Sequence, residues 1–343
     1  MKYGLPYKGS KNKLAERIVR LLPRRTNLVD LFCGGCAVSH AALLMGKFEH
    51  IYINDINWMC PTLFMNALQG KYANDTRWIS REDYFRLKDT DPYVALVWSF
   101  GNKMQSYIYS KEIEPLKKAL HYALLFSDYS LAKALGYEFS FVTPITDVQQ
   151  RYRFMMQYFS WRDRFRLQSF ENGKILARLK TMKQQQMLPD FKNNPKVTLR
   201  GKTPRTKTPR CTDCNTKSGH TVYPEIHGGE EGNLPITPSV FSYEQVVIPP
   251  DSVIYCDIPY EGTSQYNGAE NFDYERFYQW AEGQMDPVFI SSYQMPTERF
   301  DCIAEWVHRS TLNDKKNNDV TERIFVPKHQ TERGNICRQL SLF

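Results

Sequence analysis

Val253-Ile254-Tyr255-Cys256-Asp257-Ile258-Pro259-Tyr260 is the stretch on which the reading of this chain turns. Its first residues are β-favouring and apolar without alternation, the pattern of a strand buried on both faces of a parallel sheet. Asp257 then falls at the carboxyl end of that strand, where open α/β sheets place their ligands. Pro259 fixes its own φ and biases Ile258 toward extended backbone, so the Ile258 carbonyl and the Tyr260 ring point in set directions. A carboxylate and a fixed carbonyl can both accept hydrogens from one amino group while an aromatic face stacks on the ring that bears it. The exocyclic amine of adenine is a group of that shape. The same eight residues also read as a plain strand end followed by a turn.

Working back toward the N-terminus, a second unit supports the first reading. Leu28-Val29-Asp30-Leu31-Phe32 is strand-like and runs into Cys33-Gly34-Gly35-Cys36, with a helix expected from Ala37 to Met45, ended by Gly46. Strand, glycine turn and helix open a nucleotide-binding α/β sheet. Ile51-Tyr52-Ile53 is a second strand with Asp55 at its end, about 20 residues after the glycine turn, where an acid binds ribose hydroxyls. Before both lies Tyr7-Lys8-Gly9-Ser10-Lys11, a basic loop leading into a helix for which Ser10 is the expected N-cap. Further helices are expected from Asn57 to Leu68, from Ser80 to Leu87 and from Ser110 to Phe126, and Val94-Ala95-Leu96-Val97-Trp98 is a third strand candidate.

The chain has 343 residues and a net charge of +8. The charge is concentrated: residues 151–210 hold 16 Lys or Arg against Asp163, Glu171 and Asp190, a net of +13 that leaves about −5 for the remainder. A basic segment on a mildly acidic body suits a polyanion such as nucleic acid, and it equally suits a solubilising insert. Arg151, Arg153, Arg162, Arg164 and Arg166 alternate with Tyr152, Phe154, Phe159, Trp161 and Phe165. Such interleaving can supply phosphate contacts and stacking surfaces, or a helix with aromatics inside and arginines outside.

Residues 183–238 are polar and rich in Pro, Gly, Thr and Lys, and read as a long, partly disordered insert. Cys211, Cys214, His220 and His227 within it are weak candidates for a zinc site. The first histidine follows too closely for a standard finger, so no metal is expected. The eight cysteines are scattered and read as free thiols. No apolar run approaches the ~20 residues of a membrane span, and the start of the chain lacks a signal-peptide core. A cytoplasmic protein with no membrane association, and a monomer, is the expectation. Beyond Tyr260, a helix over Tyr274–Ala281, a strand over Pro287–Ser291, another over Cys302–Val307, a hairpin loop over Asn313–Asp319 and a returning strand over Glu322–Val326 complete the pattern.

Taken together, these motifs resemble the Dam-like DNA adenine methylases of the α group, enzymes that use S-adenosylmethionine. The order matches: Tyr-Lys-Gly-Ser-Lys first, Phe-x-Gly second, a recognition region in the middle, and Asp-x-Pro-Tyr late. The resemblance is good over residues 1–125 and 240–330 and poor over 127–238. It implies a Rossmann-like α/β methyltransferase fold, a mostly parallel seven-stranded sheet with one antiparallel edge strand. It further implies residues 1–125 as the cofactor-binding part, 126–182 as a helical target-recognition region, 183–238 as the insert and 239–343 as the catalytic part. Tyr7, Lys11, Phe32, Gly34, Asp55 and Asp257 would surround S-adenosylmethionine. Asp257, Ile258, Pro259 and Tyr260 would hold an adenine extruded from double-stranded DNA for direct in-line transfer to its 6-amino group.

Three positions depart from the family pattern. Ile258 replaces a proline, Cys36 replaces the second glycine of Phe-x-Gly-x-Gly, and Phe241-Ser242-Tyr243-Glu244 lies where an acid near the preceding strand is usual. The rival readings are a cytosine 4-amino methyltransferase, an RNA adenine methyltransferase of the same fold, and a catalytically weakened DNA-binding protein. Asp257 favours adenine, since the cytosine enzymes usually carry serine there. A Pro-Cys nucleophile for carbon-5 chemistry is absent from the chain. The DNA site and the existence of a cognate restriction endonuclease are not encoded in any motif.

Overall fold

The computed structural model describes residues 3–7, 9–158, 234–260, 272–309 and 319–332. The chain divides into two compact units: Met1–Leu5, Gly9–Met65 and Asp190–Phe343 form the first, and Pro6–Lys8 with Asn66–Pro189 the second.

The first unit carries one seven-stranded sheet. Its strands are β1 (Asn27–Asp30), β2 (His50–Asn54), β3 (Ile236–Ser239), β4 (Ser252–Asp257), β5 (Val288–Ser292), β6 (Phe300–Arg309) and β7 (Asp319–Pro327), in the order β3-β2-β1-β4-β5-β7-β6. β3 through β5 are mutually parallel, and β7 runs antiparallel to both β5 and β6. This is the mostly parallel sheet expected, with its reversed strand β7 one place in from the β6 edge. Strand order reverses between β1 and β4, so the ends of β1, β2 and β4 open on one crevice. Val29, Ile254, Cys256, Val288 and Ile290 enter one core with Phe277 and Ala281. Each fully buried side chain of this size contributes about 1.5–3 kcal/mol.

Helices of this unit are α1 (Ala15–Leu21), α2 (Ala37–Met45), the start of α3 (Met59–Leu68), and, past β4, α9 (Tyr274–Glu282) and α10 (Lys328–Glu332). Asp273 caps α9 by accepting from Arg276 N. Ser10 is not the cap of α1. The helix begins at Ala15 after a turn in which Lys11 O accepts from Leu14 N and Ala15 N, and Ser10 Oγ is buried without a hydrogen-bond partner.

The second unit holds α4 (Arg81–Leu87), α5 (Pro92–Val97), α6 (Glu114–Phe126), α7 (Ser130–Ala134) and α8 (Val148–Tyr158). Val94–Trp98 is therefore not a strand. Asp91 accepts from Tyr93 N and Val94 N, Pro92 takes the first turn, and the apolar run forms a buried helix. A short run buried on every side carries no period, so strand and helix look alike in sequence. The third parallel strand is instead Ile236–Ser239, from the last residues of the stretch read as insert. Pro238 is tolerated there because β3 is an edge. The remainder of that stretch, residues 183–233, and the hairpin loop between β6 and β7 lie outside the described residues.

Candidate active site

The glycine turn after β1 is built by backbone conformation. Gly34 and Cys36 both have left-handed φ, 45° and 54°. Glycine adopts this region freely and a side chain at Cys36 adopts it at a cost, which is the physical reason for a glycine preference there. The Cys36 side chain is wholly buried. Residues 3–5 lie across the turn: Leu5 N donates to Gly35 O at 2.7 Å and Gly4 N donates to His40 Nδ1 at 2.9 Å. Burial keeps His40 neutral, with its pKa near 4, as that accepting nitrogen requires. A Cβ at Gly4 would stand 2.2 Å from Gly35 O, so only glycine fits this close approach.

Asp55, just past β2, accepts Gly34 N at 2.8 Å and Asn57 N at 2.9 Å. Burial raises its pKa, and the two N–H groups act against that rise. Asn54 beside it joins three segments: its Nδ2 donates to Leu31 O and Phe241 O, and its Oδ1 accepts from Phe241 N and Ser239 Oγ. Asp30, at the end of β1, accepts from Ser39 Oγ at 2.5 Å, and its other oxygen is buried without a hydrogen-bond partner. Desolvation lifts the Asp30 carboxyl to about 7, with the charges of Asp257 and Asp55 adding to the rise. Phe32 packs against Tyr243, Phe272 and Phe277. Glu244 pairs with Arg276 at 2.6 Å, near the base of α9.

Asp257 sits at the end of β4, beside Ser291 of β5. Its Oδ1 is 2.7 Å from Lys11 Nζ and 3.3 Å from the Tyr260 hydroxyl. Glu322 of β7 reaches the same point. It accepts from the Tyr260 hydroxyl and from Ser291 Oγ (2.8 Å), and lies 3.6 Å from Lys11 Nζ. Lys11 Nζ also stands 4.8 Å from the centre of the Tyr260 ring, a cation–π distance, and the Tyr293 ring meets Tyr260 edge-on at 4.3 Å. Desolvation raises the Asp257 carboxyl to about 6; Lys11 opposes this and the Glu322 charge adds to it. Ile258 is buried, and Pro259 O accepts from the Tyr274 hydroxyl at 3.2 Å, so the turn stays anchored without a proline at 258.

The structure thus brings Lys11, Asp257 and Tyr260 together, and separately Gly34 and Asp55. Glu322, Ser291, Tyr293, Asp30 and Asn54 were not foreseen as site residues. Glu322 stands between Thr321 and Arg323 in the sequence, a polar context that carries no local signal of a site. Tyr7 belongs to the second unit. So does Arg151, whose guanidinium donates to Ile145 O, Leu124 O and Ser127 Oγ. Arg153 is exposed. Arg162, Arg164, Arg166, Cys211, Cys214, His220 and His227 lie outside the described residues. Among the described residues no group of His, Cys, Asp and Glu side chains is arranged to hold a metal, no disulfide forms, and no helix is long and apolar enough to cross a membrane.

No curated protein matches this chain. Residues 7–171 match the family model of the D12 class N6 adenine-specific DNA methyltransferases, in agreement with the resemblance of the motifs.

Proposed function

We propose that this DNA adenine methyltransferase moves a methyl group from S-adenosylmethionine to the 6-amino group of an adenine extruded from double-stranded DNA. The observation that carries the reading is the place of the Asp257 carboxylate. It stands at the carboxyl end of β4, with Oδ1 toward Lys11 and Tyr260. An acidic acceptor at a strand's carboxyl end suits an incoming N–H.

The crevice also suits a cationic donor. Asp30 keeps an orphaned, buried oxygen, and the carboxylates of Asp55 and Asp257 both lie near enough to raise its pKa. When bound, S-adenosylmethionine supplies an electrophilic methyl on a sulfonium. Asp55 and the Gly34 turn would hold its ribose and methionine ends, with Phe32 beside them. Asp257 Oδ2 and the Ile258 carbonyl would accept the two amine hydrogens, turning the nitrogen lone pair toward the methyl. Tyr260 would bear on the base, which must leave the duplex because its amine is unreachable inside the stack. Asp257 would be placed to take the proton that the amine nitrogen gives up once it carries the methyl group. The protein's contribution is orientation and electrostatic stabilisation, with no covalent intermediate on the enzyme.

Transfer of tritiated methyl from S-adenosylmethionine to duplex DNA, with the product base identified, tests the reading. N6-methyladenine is expected. A chain that binds DNA yet transfers no label, and whose melting temperature is unmoved by S-adenosylmethionine, would be a non-catalytic binding protein instead.

A further inference from the structure

Glu322 is a buried acid that no motif in the sequence announces. Its carboxylate is 3% exposed, on a strand otherwise committed to the sheet. Burying a carboxylate costs several kcal/mol unless partners compensate it. Its partners are all groups of the candidate site: the Tyr260 hydroxyl, Ser291 Oγ and, at 3.6 Å, Lys11 Nζ. Two carboxylates therefore share one ammonium and one phenolic proton.

The sharing is unequal. Lys11 stands closer to Asp257, at 2.7 Å, than to Glu322, at 3.6 Å. The phenol does the reverse: its hydroxyl is 3.3 Å from Asp257 Oδ1 and in much closer contact with Glu322. A phenol has one proton to give. Donated to Glu322, it is withheld from Asp257, whose oxygens then keep their capacity for a substrate amine. The same bond and the edge contact with Tyr293 fix the Tyr260 ring plane.

We infer that Glu322 is a positioning residue for methyl transfer: it takes the Tyr260 hydroxyl proton, and so fixes the Tyr260 ring and keeps that phenol from occupying the Asp257 carboxylate that is to meet the amine. This rests on the reading of Asp257 given above. Among the described residues, the charged and titratable groups that act on or feel Asp257 are Lys11 from the N-terminal segment, Asp30 of β1, Tyr255 and Cys256 of β4, Tyr260, Tyr293 after β5, and Glu322 of β7. Of these, Glu322 acts on Asp257 as a like charge and Lys11 as an opposite one.

The test is Glu322→Gln in the full chain, with kcat, KM for DNA and KM for S-adenosylmethionine measured across pH. The amide keeps the size and removes the charge. kcat is expected to fall about 100-fold, the scale of a small misplacement of a reacting group, with both KM values within a few-fold of the parent. The acid limb of the kcat profile is expected to move to lower pH, because the like charge beside Asp257 is gone while Lys11 remains. Lost packing alone lowers thermal stability and leaves that limb in place. Glu322→Asp keeps the charge on a shorter stem, and serves if the amide variant does not fold; it is expected to lose kcat and keep the limb. Parental kcat with an unmoved limb in Glu322→Gln, or parental kcat in Glu322→Asp, overturns the inference. Asp257→Asn run alongside separates the two claims. Methyl transfer by that variant sinks the reading of Asp257 itself, whereas an inert Asp257→Asn beside a parental Glu322→Gln sinks only the role of Glu322.

Discussion

At the carboxyl end of β2, Asp55 is held by two backbone N–H groups, from Gly34 and Asn57. At the carboxyl end of β4, Asp257 is held by side chains, Lys11 and Tyr260, with Glu322 behind them. The first carboxylate is fixed by amides whose directions follow from a turn. It has no formal counter-charge in these bonds, and in the proposed function it presents an acceptor in a set place. The second lies among polar and charged side chains from four separate parts of the chain, at positions 11, 260, 291 and 322. A binding carboxylate needs only placement. A reacting one also needs its charge and its free lone pairs controlled, and backbone amides alone cannot adjust either.

That contrast breaks most sharply at Asp257. Asp257→Asn is expected to lower methyl transfer about 1,000-fold, at the upper end of what one electrostatic contact to a reacting centre contributes, while the melting temperature changes little. Parental turnover in a tritium-transfer assay would abolish the distinction between the two strand ends. Asp55→Asn should behave differently. Losing a charge-assisted bond costs about 1.5–3 kcal/mol, so KM for S-adenosylmethionine is expected to rise by about tenfold or more while kcat is largely retained. A fall in kcat with unchanged KM would place Asp55 in the reacting machinery instead.

Asp30 lies between the two and sharpens the comparison through stability. Its carboxyl is raised from 3.8 in the unfolded chain to about 7 in the folded protein. The folded state therefore holds the proton more tightly, and stability on this account falls as pH rises through that window. Asp30→Asn cannot ionise, so its stability is expected to exceed the parent's at pH 8 and to lose this part of the pH dependence. Parallel urea titrations at pH 5 and pH 8 measure it, and parallel slopes for parent and variant would contradict the buried carboxyl.

The smallest effects concern the second unit, where two neighbouring arginines are set apart by their partners. Arg151 donates to two carbonyls and a hydroxyl, so Arg151→Ala is expected to cost about 1–3 kcal/mol of stability. Arg153 is exposed on the same helix; if it meets DNA, Arg153→Ala lowers the slope of log affinity against log salt by about one and leaves stability alone. Filter binding across salt, with melting curves, distinguishes the two.

Much of the sheet was legible because its signals are local. Buried parallel strands are short apolar runs, and both Leu28–Phe32 and Val253–Cys256 announced themselves in that way. Gly34 with Asp55 was legible for the same reason, since a turn and the next strand end lie close in sequence. Val94–Trp98 was misread because an apolar run that is buried all round has no period, and its Asp91 and Pro92 start signal outweighed its β-favouring composition. Pro238 hid β3, because a proline argues against a strand until the edge position is known.

The sequence by itself determined strands β1, β2 and β4, the acid and aromatic at the end of β4, and the glycine turn, since each rests on residues adjacent in the chain. Only the tertiary structure decided that Lys11 faces Asp257, and that Glu322 and Ser291 close around the Tyr260 hydroxyl. Those contacts join residues far apart in the chain and depend on how parallel crossovers and one reversed strand bring distant side chains to a single sheet end. Strand pairing, which no local pattern specifies, sets that meeting point.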